Sequence, residues 1–80
     1  MTILNDNSKL IADRILGIRR ELGLSQQELG FALEVSYQYV SALENGSRKP
    51  GMLLMKRIIN LCHINGMNEV DNHYLRPDVM

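Results

Sequence analysis

Apolar positions along the chain form separate clusters, each with helical spacing. Ile11, Ile15, Ile18 and Leu22 recur at four, three and four residues, which places them on one helical face. Ser8 offers an N-cap, with Asn7 a rival one residue earlier, and Gly23 is a good C-terminal stop. Gly17 lies inside this predicted helix and costs roughly 1 kcal/mol against Ala. Close packing is the one reason the sequence suggests for it. Leu29, Leu33, Val35, Val40 and Leu43 then mark two short helices, 26–33 and 37–44, with a tight corner at 34–36. Ser25 and Glu28 form a Ser-x-x-Glu capping box before the first, and Ser36 can cap the second. Asn45 and Gly46 end the second helix, and either can take a left-handed conformation.

A fourth helix is predicted over 52–62. Met52, Met55, Ile58 and Cys62 make its expected core face, while Leu53, Leu54, Ile59 and Leu61 are surplus. A helix apolar nearly all round is more than a small monomer needs. Asn65 and Gly66 signal a turn, and Asp71 can cap a single further turn that must stop near Pro77. The expected architecture is all-α, four to five helices, in one domain over 1–80. It divides into a flexible arm 1–7, a helical core 8–64 and a tail 65–80 that is a candidate dimer contact. Eighty residues bury only a modest core, so helical packing is economical and a partner subunit can add burial.

Two short helices joined by a turn of three to four residues are the helix-turn-helix signature, in which the second helix enters the DNA major groove. Nine Lys+Arg balance nine Asp+Glu, a net charge of +0 that is poor for a DNA binder judged on totals. Distribution matters more, because phosphate binding needs one basic face. One cysteine excludes an internal disulfide and a Cys-based zinc site. His63 and His73 lie ten residues apart, and Cys62 is adjacent to the first, a spacing that cannot set two good ligands on one metal in a helix. Neither a nucleophile elbow nor a Gly-rich phosphate loop is present. The chain therefore reads as no enzyme, with no metal, no cofactor and no small-molecule substrate. Residues 1–9 are polar and no window approaches about 18 apolar residues, so the expectation is a cytoplasmic protein, in bacterial cytosol or nucleoid, without a membrane partner.

The words Arg19-Arg20-Glu21-Leu22-Gly23-Leu24-Ser25-Gln26, Val40-Ser41-Ala42-Leu43-Glu44-Asn45-Gly46 and Arg48-Lys49-Pro50 carry a resemblance. Over about 12–64 the chain resembles the Cro and cI phage repressors, the lambda-repressor-like, XRE-type helix-turn-helix family. Two positions depart from the family pattern. Gly30 stands where Ala is usual, at the close crossing of the two helices, and Glu34 stands where Gly is usual, in a turn that favours a left-handed backbone. The Leu75-Arg76-Pro77-Asp78 ending is similar to the tails of some small Cro-like phage regulators.

The resemblance implies a set of contacts. Tyr37, Gln38, Ser41 and Ala42 would meet base edges: the Gln38 amide suits adenine N6 and N7, Tyr37 can bond a base or phosphate, and Ala42 can touch a thymine methyl. Against this stands a merely solvated polar face. Gln26, Ser36, Asn45, Arg48 and Lys49 would meet the DNA backbone, against a reading of Arg48 and Lys49 as loop solubility and of Asn45 as a helix cap. Tyr39 either flanks the backbone or packs beneath the first helix of the motif. Arg19 and Glu44 would form a partly buried structural salt bridge. The surplus residues Leu53, Leu54, Ile59 and Leu61, with Tyr74 and Leu75, would build a homodimer contact, against a tail that folds back over the helix within one subunit. The implied function is a sequence-specific DNA-binding transcriptional regulator. It would be Cro-like or a repressor, of phage, prophage or mobile-element origin, binding a palindromic operator as a dimer and regulating by occupancy. The alternatives are a restriction–modification controller, an autoregulating antitoxin, and a helix-turn-helix fold used only for protein contacts.

Overall fold

The periodic apolar residues fold inward on five helices in a computed structural model that describes residues 7–79. In chain order these are α1 (Ser8–Leu22), α2 (Gln26–Leu33), α3 (Tyr37–Asn45), α4 (Met52–Ile64) and the single turn α5 (Asn72–Leu75), with no strand among the described residues. Ile11, Ile15 and Ile18 of α1 share one buried cluster with Leu29 and Leu33 of α2 and Val40 and Leu43 of α3. Residue 7, not Ser8, is the N-cap of α1, and the Asn7 side chain makes no capping bond there. The rest of the expected arm, 1–6, lies outside the described residues. No neighbouring side chain or backbone approaches Gly17, so close packing does not explain it.

The corner between α2 and α3 is set by backbone geometry. Val35 N donates to the Gly30 carbonyl at 2.9 Å, which folds the corner back onto α2. A Cβ at Gly30 would lie 2.7 Å from the Val35 carbonyl oxygen, so the Ala usual in related sequences would require the backbone of the corner to shift. Glu34 takes the left-handed conformation, φ 64°, without being glycine. Arg57 of α4 steadies this corner. Its Nη1 donates to the Leu33 carbonyl at 3.1 Å, satisfying one of the open acceptors at the end of α2, and its Nη2 lies 3.7 Å from the Glu34 carboxylate.

The inward face of α4 is rotated from its expected position. Leu54 joins Met55, Ile58 and Cys62 in the core, while Met52 is 63% exposed. Met52 is the first residue of the helix and sits beyond the core's edge, just after the buried Pro50. Leu54 is therefore core and not surplus. Ile59 and Leu61 are half-buried against the same core.

α4 packs on α2 and is also covered by the chain's own tail. Val70 and Leu75 are fully buried, so packing continues past the expected core boundary at residue 64. Asp71 caps α5 through Tyr74 N, as its position predicts. Arg14 Nη1 donates to the Tyr74 carbonyl at 2.8 Å and its guanidinium lies over the Tyr74 ring at 4.4 Å. His63 Nε2 donates to the Val70 carbonyl at 2.9 Å. Leu54 and Leu75, two residues of the expected dimer contact, are thus committed inside one subunit, and Tyr74 is half-buried beneath Arg14. Of that set Leu53 alone is well exposed, at 62%.

Two substitutions at the corner should move stability in opposite directions. Gly30→Ala forces a methyl against the Val35 backbone, which must shift, and should destabilise by about 1–3 kcal/mol. Glu34→Gly relieves a left-handed non-glycine residue and should stabilise by up to about 1 kcal/mol. Urea midpoints of the two variants, measured with the parent, check both signs.

Candidate nucleic-acid interface

α3 is short, and each of its ends is held by its own contacts. Ser36 has an extended backbone and its hydroxyl accepts from Tyr39 N at 3.1 Å, so the residue expected at the DNA backbone is also the N-cap of the helix. At the other end Gly46 takes the left-handed conformation, and the Ser47 and Arg48 N–H groups both donate to the Ala42 carbonyl. Asn45 Oδ1 accepts from Ser47 N at 2.9 Å and from Ser47 Oγ at 2.6 Å, so its amide oxygen serves the helix end.

Val40 and Leu43 bury one side of α3. At about 100° per residue, Gln38, Ser41, Ala42 and Asn45 lie on the opposite side, with Tyr37 at its edge. Gln38 and Asn45 are exposed, Tyr37 is 46% exposed, and Ser41 and Ala42 are half-buried. Tyr39 packs against the core beneath the motif, and the Arg48 guanidinium lies 5.6 Å from its ring centroid.

One carboxylate ties three helices together. Glu44 Oε2 accepts from Arg19 Nε at 2.6 Å, and its Oε1 accepts from Arg19 Nη2 at 3.1 Å and from Gln26 Nε2 at 3.0 Å. Arg19 Nη1 donates to the Leu24 carbonyl at 2.9 Å. The Glu44 side chain is only 6% exposed and that of Arg19 17%. The hydrogen bond that Arg19 donates to Glu44 raises the Arg19 pKa against the opposing effect of burial, so the guanidinium stays charged. Gln26 therefore has a partner the sequence did not suggest: its amide N–H serves Glu44.

Lys49 is held differently from Arg48. Its Nζ donates to Asp78 Oδ2 at 3.1 Å, and Arg76 forks onto the same carboxylate, Nε to Oδ1 at 2.9 Å and Nη2 to Oδ2 at 3.1 Å. The Arg76 bonds hold the Asp78 carboxyl well below the usual carboxylate range, opposed by desolvation and reinforced by Lys49. Asp78 in turn raises the Arg76 pKa. Neither partner was visible as part of this loop from local sequence, because 29 residues separate Lys49 from Asp78.

Other chemistry finds little support in the side chains. Burial pushes the Cys62 thiol up to about 11, which keeps it protonated and unreactive near neutral pH. Among the described residues no group of His, Cys, Asp and Glu is arranged to hold a metal ion, and no helix is long and apolar enough to cross a membrane.

The fold and this face together define a helix-turn-helix protein whose second helix projects a polar side from a fixed frame. A family model described as helix-turn-helix matches residues 15–65, more than half the chain. The chain is 30% identical over 69 residues, 82% of its own length and 90% of the relative's, to the uncharacterized HTH-type transcriptional regulator y4dJ of Sinorhizobium fredii. It is 38% identical over 40 residues, 50% of its length and 53% of the relative's, to the uncharacterized HTH-type transcriptional regulator YqaF of Bacillus subtilis. No solved structure matches it. The chain belongs to the XRE-type, Cro-like helix-turn-helix family of DNA-binding transcriptional regulators.

The Glu44 network should be costly to break from either side. Glu44→Ala leaves the mostly buried Arg19 without its carboxylate and should destabilise by about 3 kcal/mol. Gln26→Ala removes one bond to the same oxygen and should cost about 1 kcal/mol. Thermal or urea unfolding of each variant gives the comparison; equal losses would show that the charge pair is not the dominant contact.

Proposed function

We propose that the chain is a sequence-specific transcriptional regulator that lays α3 in the major groove of operator DNA. The observation that carries this is the unspent chemistry of α3. Among the described residues the side chains of Tyr37, Gln38 and Ser41 have no hydrogen bond or ion pair within the chain, while Ser36, Glu44 and Asn45 around them are engaged. Gln38 reads a base edge, Tyr37 and Ala42 add contacts at its margins, and Ser41 serves base or sugar. The start of α2 at Gln26, the cap at Ser36, the Asn45 end of α3 and the 47–51 loop with Arg48 and Lys49 meet the DNA backbone. Backbone N–H groups at the helix starts favour phosphate there.

The regulator acts as a homodimer on a palindromic operator, as a Cro-like protein or repressor of phage, prophage or mobile-element type. The tail words Leu75, Arg76, Pro77 and Asp78 support that kinship. With Leu54 and Leu75 committed internally, the partner surface falls at the start of α4, where the exposed Met52 and Leu53 flank an open groove of about 590 Å³ lined also by Val35 and Tyr39. A second reading, a helix-turn-helix fold that binds another protein, rests on Phe31, which projects from α2 at 88% exposure.

Binding to a selected operator, its single-base variants and random duplex DNA tests the reading. Gln38→Ala should lose about 1–3 kcal/mol at one base pair and relax preference there. Arg48→Ala should weaken all sequences alike and lower the salt slope by about one. A Gln38→Ala protein that loses affinity uniformly would remove Gln38 from base reading. No retention of any duplex at low salt by the parent chain would favour the protein-contact reading.

Assembly has its own measurement. Sedimentation at micromolar concentration should show a dimer, and Leu53→Lys should shift it to monomer with helicity unchanged. A parent chain that stays monomeric throughout that range, and on operator DNA, sinks the dimer.

A further inference from the structure

We propose that Asp78 is an internal stand-in for a DNA phosphate, occupying the Lys49 ammonium in the free protein and competing with DNA for it. This rests on the reading that the 47–51 loop meets the DNA backbone. The geometry of the tail gives the argument. Arg76 donates from one edge to both oxygens of Asp78, and from Nη1 to the Pro50 carbonyl at 3.0 Å. The carboxylate is thereby fixed against the same loop that carries Lys49. Pro50 is fully buried and Leu75, three residues before Asp78, is in the core, so neither side of this contact is a loose end.

An ammonium offers three N–H donors as a compact charge, and carboxylate and phosphate oxygens are interchangeable acceptors for it. The pair is partly exposed, with side-chain exposures of 33% for Lys49 and 20% for Asp78, and surface pairs of this kind are weak enough to exchange. Arg76 keeps Asp78 in place and paired, so Asp78 acts on DNA binding through its hold on Lys49, which a phosphate must displace or share. The tail therefore lowers both non-specific affinity and its dependence on salt. Base reading by α3 is left to carry a larger share of the discrimination.

The test measures binding of random-sequence duplex DNA and of a selected operator across a salt series. Asp78→Asn preserves size and one acceptor oxygen while removing the charge and turning the second acceptor into a donor. It should tighten both complexes by about two- to five-fold near 0.1 M salt, the scale of one exposed pair. The slope of log affinity against log salt should steepen by about one. Asp78→Glu should behave as the parent. In a Lys49→Ala background, Asp78→Asn should no longer steepen the slope. Should Asp78→Asn melt early, Asp78→Ser makes the same charge change. Weaker binding by folded Asp78→Asn, or an unchanged slope, overturns competition. If Arg48→Ala lowers the slope but Lys49→Ala does not, Lys49 is off the DNA and the proposal falls while the DNA reading stands. If neither changes the slope and the parent retains no duplex at low salt, the DNA reading itself fails and the proposal goes with it.

Discussion

The arrangement of the first three helices depends on the carboxylate of Glu44. α3 has nine residues, too few for a stable helix in isolation, so its position must come from tertiary contacts. Glu44 sits in the last turn of α3, where the helix dipole disfavours a negative charge. Arg19 offsets that cost from the last turn of α1, where the dipole favours a positive one. The fork of Arg19 onto Glu44 fixes direction as well as distance, because the guanidinium is planar and both of its paired N–H groups are used. Gln26 adds the start of α2 to the same oxygen. Three helix ends thus converge on one small polar contact above an apolar core made of Ile15, Leu29, Val40 and their neighbours.

Charge neutrality in this chain is a matter of placement. Lys9 pairs with Asp13, Arg19 with Glu44, Arg57 faces Glu34, and Lys49 and Arg76 share Asp78. Arg14 is turned inward over Tyr74. The cations therefore serve mainly to hold the fold, and no titratable side chain lies on the Gln38 side of α3 between the Tyr37 phenol at its edge and Asn45. On the proposed reading, recognition at α3 is by directional hydrogen bonds and apolar contact, and the electrostatic part is confined to the loop beyond it. A zero total is compatible with that division, since the two tasks fall on different residues.

Local rules made much of this legible. The spacing of the three isoleucines in α1, the capping box of Ser25 with Glu28, the Ser36 and Asp71 caps and the glycine stops are short-range signals, and each acts within one turn of helix. The face of α4 was harder, because nearly every position is apolar and periodicity then carries little phase information. Its rotation toward Leu54 is decided by neighbours more than a dozen residues away: Leu54 borders Val35 and Tyr39 at the α2–α3 corner, and Met55 borders Asn72 and Arg76 of the tail. The same distance hid Arg14 with Tyr74, Arg76 with Pro50 and Asp78 with Lys49. Resemblance supplied the pairing of Arg19 with Glu44, and no spacing rule would have given it. The close crossing at Gly30 calls for a small residue, and the approach of the Val35 carbonyl favours glycine over even alanine.

A chain of 80 residues has little interior, and how the surplus apolar surface of α4 is covered decides what else the protein can do with it. Here Val70 and Leu75 cover it from within, at the cost of ordering a tail with one helical turn. Leu54 and Leu75 are both buried, and the apolar residues of α4 left well exposed are Met52 and Leu53 at its start and Ile64 at its end. The tail also brings Arg76 and Asp78 against Pro50 and Lys49, on the loop that directly follows α3. The tail is thus coupled to the segment beside α3 by two contacts of different kinds, one to the Pro50 backbone carbonyl and one to the Lys49 ammonium. The first sets where the loop lies. The second sets how much of its charge faces outward, so the segment that completes the core also adjusts the electrostatics of the face beside α3.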